Sequence, residues 1–80
     1  MTADQVLNAR SLTRLAAVAR RLRLERGLSQ ADLAGAAGVS RQWIINLEQG
    51  RTEGLEVGRL MRVLDELDAS LAVRDDRESL

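Results

Sequence analysis

Hydrophobic residues recur every three or four positions along most of this chain, with polar residues between them. That spacing places the hydrophobic residues on one side of an α-helix and predicts an all-α domain. A first helix would run from its N-cap Ser11 to about Arg26, and Gly27 would end it in the left-handed conformation. The buried face of this helix would be formed by Leu12, Leu15, Ala19 and Leu22.

Two short helices follow, separated by one glycine. Ser29, with Asp32 three residues later, is typical of a capping box and predicts a second helix over residues 30–37. Its inward-facing residues would be Leu33, Ala34 and Ala37. Gly38 then supplies the positive φ that a tight turn requires.

The third helix has Ser40 as its N-cap and ends near residues 49–50. Val39 faces the core from the turn, and Ile44 and Leu47 face it from the helix. The pattern therefore predicts two short helices held at a sharp angle by a well-packed turn.

A fourth hydrophobic stripe consists of Leu55 or Val57, followed by Leu60, Val63, Leu64 and Leu67. Residues 69–74 then alternate between apolar and polar, with Leu71 and Val73 on one face, which predicts a short β-strand. A single strand leaves its backbone groups unpaired. We therefore expect it to pair with its copy from a second chain or with the N-terminal segment Val6–Leu7.

These elements predict one domain with short extensions. We expect an N-terminal arm at residues 1–10, a four-helix domain at residues 11–68, a dimerisation strand at residues 69–74 and a flexible tail at residues 75–80. The arm has only a weak alternating pattern, which is compatible with either a frayed segment or a short strand.

The composition excludes several classes of chemistry. The chain contains no cysteine and no histidine, and all of its basic residues are arginines. Disulfides, the usual zinc sites and the commonest activated nucleophiles are therefore excluded, and no glycine-rich phosphate loop occurs. We expect neither an enzyme nor a cofactor or metal. Without a signal segment or a long apolar run, the expected location is the cytoplasm.

The charge distribution is uneven although the formal net charge is zero. Residues 10–51 contain eight arginines and three acids, a net charge of +5, whereas residues 52–80 contain four arginines and eight acids, a net charge of −4. The positive part includes the third helix. A nucleic-acid partner is therefore compatible with the neutral total.

The second and third helices resemble the helix-turn-helix of the phage-repressor (XRE, Cro/CI-like) family. The resemblance extends from about residue 22 to residue 67 and rests on the spacing of Leu33-Ala34, Gly38-Val39, Ile44 and Leu47. It implies a lambda-repressor-like DNA-binding domain at residues 11–68, whose third helix lies in the DNA major groove. It also implies that Arg23 and Glu48 form an ion pair between the first and third helices.

A helical wheel with Ile44 and Leu47 inward turns Gln42, Ile45, Asn46 and Gln49 outward and puts Arg41 at the leading end. These side chains suit base contacts: Arg41 with guanine, Gln42 or Asn46 with adenine, and Ile45 with a thymine methyl group. Ile45 replaces the polar residue that is more usual in the family. The resemblance assigns phosphate contacts to Ser29, Gln30 and Ser40, and Arg51 is a further candidate.

Trp43 is also a candidate for a DNA contact, by stacking. It lies on the flank of the third helix, however, in a chain without Phe or Tyr. A core that lacks other aromatic residues favours a packing role for this side chain.

A finer resemblance, to the HipB-type antitoxins, rests on "SRQWI", "RLMRVLDELD" and the terminal "LAV". It implies a homodimer formed through a strand containing Leu71 and Val73. It also implies a transcriptional repressor that binds inverted-repeat operators in its own operon and binds a HipA-like kinase toxin. The alternatives are a stand-alone regulator of the same family without a toxin, and a protein-interaction module.

Overall fold

The computed structural model describes residues 6–51 and 53–77 of the 80-residue chain. It contains four helices: α1 (Leu12–Glu25), α2 (Gln30–Ala37), α3 (Arg41–Glu48) and α4 (Val57–Glu66). The all-α prediction is confirmed, with helix boundaries close to those expected. In the described part of the chain, no helix is both long and apolar enough to cross a membrane. The parts of the predicted arm and tail at residues 1–5 and 78–80 lie outside the described residues.

The three predicted serine caps are all present. The Ser11 Oγ accepts a hydrogen bond from the Arg14 backbone N–H at 3.1 Å. At the start of α2, the capping box is complete, because the Ser29 hydroxyl and the Asp32 carboxylate each accept from the other residue's backbone N–H. The caps satisfy N–H groups that have no partner inside a helix, and they therefore define where each helix begins.

The four helices share one core of small and aliphatic side chains. It consists of Ala19, Leu22, Leu33, Ala34, Ala37, Ile44, Leu47, Leu60, Val63, Leu64 and Leu67. All the inward-facing residues predicted for the second and third helices belong to it. Of the two candidates for the start of the fourth hydrophobic stripe, Leu55 packs against the core, whereas Val57, the first residue of α4, is exposed.

Two residues predicted for the buried face of the first helix are not among these core residues. Leu15 is half-buried and packs against the core. Leu12 is 46% exposed, and the buried stripe of α1 begins one turn later at Ala16. Leu12 is the first residue of the helix. A residue at a helix end has packing neighbours on one side only, which explains its exposure.

The turn between α2 and α3 has the predicted geometry. Gly38 adopts φ +70°, and the Val39 backbone N–H donates to the Ala34 carbonyl oxygen at 3.0 Å. Val39 packs against the core from inside the turn. The turn therefore sets the direction in which α3 leaves α2.

The predicted β-strand at residues 69–74 is absent from the described chain, whose residues 69–76 have no regular secondary structure. Leu71 is 50% exposed and Val73 is 97% exposed. Side chains link the N-terminal and C-terminal segments, through Asn8 and Arg74 at 3.3 Å, without a backbone ladder between them. A strand needs such a ladder, and residues 6–51 and 53–77 of this single chain do not supply one.

Gly35 lies inside α2 and Gly38 lies in the turn that follows it. Substituting each by alanine gives a matched test of the turn geometry. A Cβ at Gly35 or Gly38 would meet no atom within 4 Å, but only Gly38 has a positive φ. We expect Gly38→Ala to destabilise the domain by about 1–2 kcal/mol, because an L-residue is strained in the left-handed region. Gly35→Ala should stabilise it by about 0.5–1 kcal/mol, because alanine favours a helix interior. Thermal melts measure both changes, and shifts of the same sign would contradict this interpretation of the turn.

Candidate nucleic-acid interface

The two sides of α3 differ as the helical wheel predicts. Ile44 and Leu47 are 0% and 1% exposed, and they anchor the helix in the core. Arg41, Gln42 and Gln49 are exposed on the outer side. The helix therefore presents a polar face, with a cationic residue at its N-terminal end.

Two of the predicted outward residues are less accessible than expected. Ile45 and Asn46 are both half-buried. They lie between the buried residues Ile44 and Leu47 in sequence, and each is only about 100° around the helix from one of them. They form the border of the exposed face. Its centre is formed by Gln42 and Gln49, and Arg41 lies at its N-terminal end.

Trp43 is half-buried and packs against the hydrophobic core. Its predicted packing role is confirmed. Trp43 is the single aromatic residue of the chain, which contains no Phe and no Tyr. A DNA contact through the exposed part of the ring stays a prediction.

The predicted phosphate-binding residues lie at the beginnings of α2 and α3. The hydroxyl oxygens of Ser29 and Ser40 accept the N–H groups of Asp32 and Trp43 at 2.9 and 3.0 Å. Each hydroxyl keeps its own hydrogen for donation to another acceptor. Both caps are exposed, and the helix N-termini carry partial positive charge. This arrangement suits anionic oxygens.

Gln30, the first residue of α2, has a partner that the sequence did not indicate. Its Nε2 donates to the Glu48 Oε1 at 3.3 Å, and the residue is half-buried. One amide N–H is thus used inside the protein, while the amide oxygen and the second N–H are left over. Gln30 therefore joins the start of α2 to the end of α3.

Glu48 also forms the predicted ion pair with Arg23. The Arg23 Nε and Nη2 donate to the two oxygens of Glu48 at 2.6 and 2.9 Å, in a bidentate arrangement. The side chains are only 9% and 4% exposed. The Arg23 Nη1 donates to the Leu28 carbonyl oxygen at 2.8 Å, which adds the loop between α1 and α2 to the network.

The hydrogen bonds from Arg23 to Glu48 raise the pKa of the guanidinium above its ordinary value, with a further contribution from the negative charge of Glu48. Desolvation by burial lowers the pKa, and its effect is smaller than that of the hydrogen bonds. Arg23 therefore stays charged, and its charge is compensated inside the protein. The pair joins the last turn of α1 to the C-terminal end of α3.

Arg41 and Arg51 lie at opposite ends of α3, and both are exposed. In the described part of the chain neither has a carboxylate within ion-pair distance, although seven other arginines do. The Arg51 backbone N–H donates to the Asn46 carbonyl oxygen at 2.9 Å, which positions this residue just after the helix. The two guanidinium groups are thus available to an anionic partner.

Three further side-chain contacts were not predicted from the sequence. The Arg26 Nε donates to the Leu67 carbonyl oxygen at 2.7 Å, and the Arg62 Nε donates to the Ala37 carbonyl oxygen at 3.2 Å. Both acceptors lie at helix C-terminal ends, where carbonyls lack partners within the helix. The third contact is within α3, between Gln42 and Asn46. Its only sequence signal is the spacing of four residues, which places two amides on one side of a helix.

The chain is similar to known proteins over most of its length. The family model for the helix-turn-helix domain matches residues 14–78. An uncharacterized HTH-type transcriptional regulator of Sinorhizobium fredii, y4mF, is 36% identical over 59 residues, which cover 74% of this chain and 76% of the relative.

Two solved structures have similar folds. HipB in its complex with the O2 20-mer has a TM-score of 0.79 and 25% identity, with coverage of 91% of this chain and 100% of that chain. The clp gene regulator ClgR from Corynebacterium glutamicum has a TM-score of 0.68 and 31% identity, with coverage of 85% of this chain and 67% of that chain. Two of these relatives are regulators, which agrees with the expectation that this chain is not an enzyme.

The buried ion pair can be tested with a double-mutant cycle. Arg23→Met and Glu48→Gln should each lower the free energy of unfolding by about 3–5 kcal/mol, because each leaves a buried charge without its partner. The double variant should lose less free energy of unfolding than the sum of the two single losses. Thermal and urea melts measure these changes.

An exposed ion pair on α1 supplies the control. Arg21 and Glu25 are in contact at 3.1 Å, with side chains that are 52% and 45% exposed. Arg21→Met should therefore lower the free energy of unfolding by no more than about 0.5 kcal/mol. Strict additivity of the Arg23 and Glu48 losses would contradict a direct interaction between them.

Proposed function

The chain belongs to the helix-turn-helix domain family, and we propose that it is a sequence-specific DNA-binding transcriptional repressor. One observation carries the proposal. The exposed face of α3 combines amide side chains with Arg41, which has no ionic partner among the described residues; Ser40 caps the beginning of this helix, and Arg51 follows its end. Guanidinium and amide groups are the side chains that make bidentate contacts with base edges in the major groove.

The charge distribution supports the same partner. Residues 10–51 have a net charge of +5, and α2 and α3 lie within them. Phosphate contacts supply most of the sequence-independent affinity for DNA, and they orient a protein on the duplex. In our proposal Ser29, Gln30, Ser40 and Arg51 bind phosphates. The base contacts come from Arg41, from Ile45 and from Gln42 or Asn46, and Trp43 lies at the edge of the interface.

We further propose a homodimer in which residues 69–74 pair as a strand with their copy. Leu71 and Val73 are exposed in the single chain, next to a backbone without regular structure. Pairing with a second copy would cover both side chains and satisfy the backbone groups. A two-fold dimer presents two recognition helices, so its target is an inverted repeat with half-sites about 34 Å apart or a multiple of that distance.

The finer proposal is an autoregulating antitoxin that binds a HipA-like kinase toxin. It is supported by the similarity in fold to HipB over nearly the whole chain. The second candidate is a stand-alone regulator without a toxin, which the higher identities to y4mF and ClgR favour. A neighbouring gene for a kinase-like protein supports the antitoxin, and its absence supports the stand-alone regulator.

Base contacts and phosphate contacts should respond differently to mutation. Arg41→Ala and Gln42→Ala should each weaken the free energy of DNA binding by about 1–3 kcal/mol per base pair contacted. Each should also relax the base preference at one position of each half-site. Arg51→Ala should weaken binding to all sequences alike, because it removes a phosphate contact. It should also reduce the slope of log affinity against log salt concentration by about 1. Gel shifts with DNA from upstream of the gene, and selection from random duplexes, measure these effects.

Arg59→Ala is the matched control, since it removes one exposed arginine from α4 rather than from the proposed interface. It should leave both the sequence preference and the affinity nearly unchanged. If the folded wild type selects no inverted repeat at low salt, the DNA-binding proposal fails. A protein-interaction module then takes its place.

The dimer proposal predicts a mass of about twice the 8.8 kDa chain by light scattering at micromolar concentration. Truncation after Asp68 removes the proposed strand and should weaken both dimerisation and DNA binding. Truncation after Arg74 removes only the tail and should preserve both. A monomeric wild type, or equal effects of the two truncations, would contradict pairing through residues 69–74.

A further inference from the structure

We infer that Gln42 and Asn46 form a single recognition unit for one A·T base pair, in which Asn46 positions Gln42 and Gln42 makes the base contact. The inference rests on the proposed DNA-binding function. It assigns the two residues to the same base pair, whereas separate contacts would assign each to its own.

The geometry of the pair supports this division of roles. Gln42 and Asn46 are one helical turn apart on α3, and the Gln42 Nε2 donates to the Asn46 Oδ1 at 3.0 Å. Gln42 is exposed, whereas Asn46 is half-buried at the border of the core. The more constrained side chain thus holds the more exposed one.

The hydrogen bond determines what Gln42 presents to a partner. A glutamine amide has two N–H donors and one acceptor oxygen, and an unrestrained amide can turn either edge outward. With one N–H donated to Asn46, one N–H and the oxygen are left. This donor and acceptor match the N7 acceptor and the N6 amino donor of adenine in the major groove.

Arg41 provides a contrast on the same face. It is exposed and has no hydrogen bond or ion pair to another side chain within the described residues. Its five N–H groups are all donors, so its orientation does not change the base that it selects. The need for a positioning partner is therefore specific to the amide of Gln42.

The test compares sequence preferences selected from random duplexes by the full chain and four variants. These are Gln42→Ala, Asn46→Ala, Asn46→Asp and the double alanine variant, with Gln49→Ala as a control on the same helix. Thermal melts establish that each variant is folded. The readout is the base preference at each position of the half-site.

Gln42→Ala should lose about 5- to 150-fold of the discrimination at one base pair, which corresponds to one bidentate contact. Asn46→Ala should relax the preference at that same base pair, and the double variant should lose no more than Gln42→Ala alone. Asn46→Asp keeps an acceptor for Gln42, so it should retain the adenine preference while its negative charge lowers affinity for all sequences. Gln49→Ala should leave this position unchanged.

Two results would overturn the inference while the proposed function stands. In one, Asn46→Ala relaxes a base pair different from the one that Gln42→Ala relaxes. In the other, the fold-losses of the two single variants multiply in the double variant. A wild type that selects no sequence overturns the DNA-binding proposal itself, and this inference with it.

Discussion

The buried ion pair between Arg23 and Glu48 is the interaction on which the rest of the structure depends. It joins the last turn of α1 to the end of α3, and it extends to the following loop through the Leu28 carbonyl and to α2 through Gln30. The core of this domain is made of small and aliphatic side chains, which pack without strong directional preference. A bidentate pair does impose a direction, because its two hydrogen bonds form in only one relative orientation. It therefore defines the angle at which α3 is held.

The functional surface follows from that orientation. With Ile44 and Leu47 in the core, the opposite side of α3 faces outward, and the turn at Gly38 joins the end of α2 to the beginning of α3. The same serine caps that begin these helices also stabilise them. The beginnings of both helices present partial positive charge, and the exposed Arg41 is the first residue of α3. A surface suited to DNA thus arises from the ordinary requirements of helix capping and burial, combined with a few exposed side chains.

The sequence predicted local features well and long-range features less well. The helix boundaries and the turn were predictable because caps such as Ser29 and the positive φ of Gly38 depend on neighbouring residues only. The Arg23–Glu48 pair was predictable through family resemblance. The contacts of Arg26 and Arg62 with distant carbonyl groups were not, because they exist only after the helices pack. The prediction of a strand at residues 69–74 was wrong for the single chain. A strand requires a hydrogen-bonded partner, and an alternation of apolar and polar residues does not provide one.

The central claim is that α3, supported by the buried ion pair, presents its outer face to DNA. The most direct measurement is an NMR titration of the ¹⁵N-labelled protein with a duplex from upstream of its gene, following the backbone amide shifts residue by residue. The account predicts that the largest shifts fall at the beginning of α2, along α3 and at Arg51, and that the middle of α4 changes little. Shifts concentrated on α4, with α3 unchanged, would contradict it.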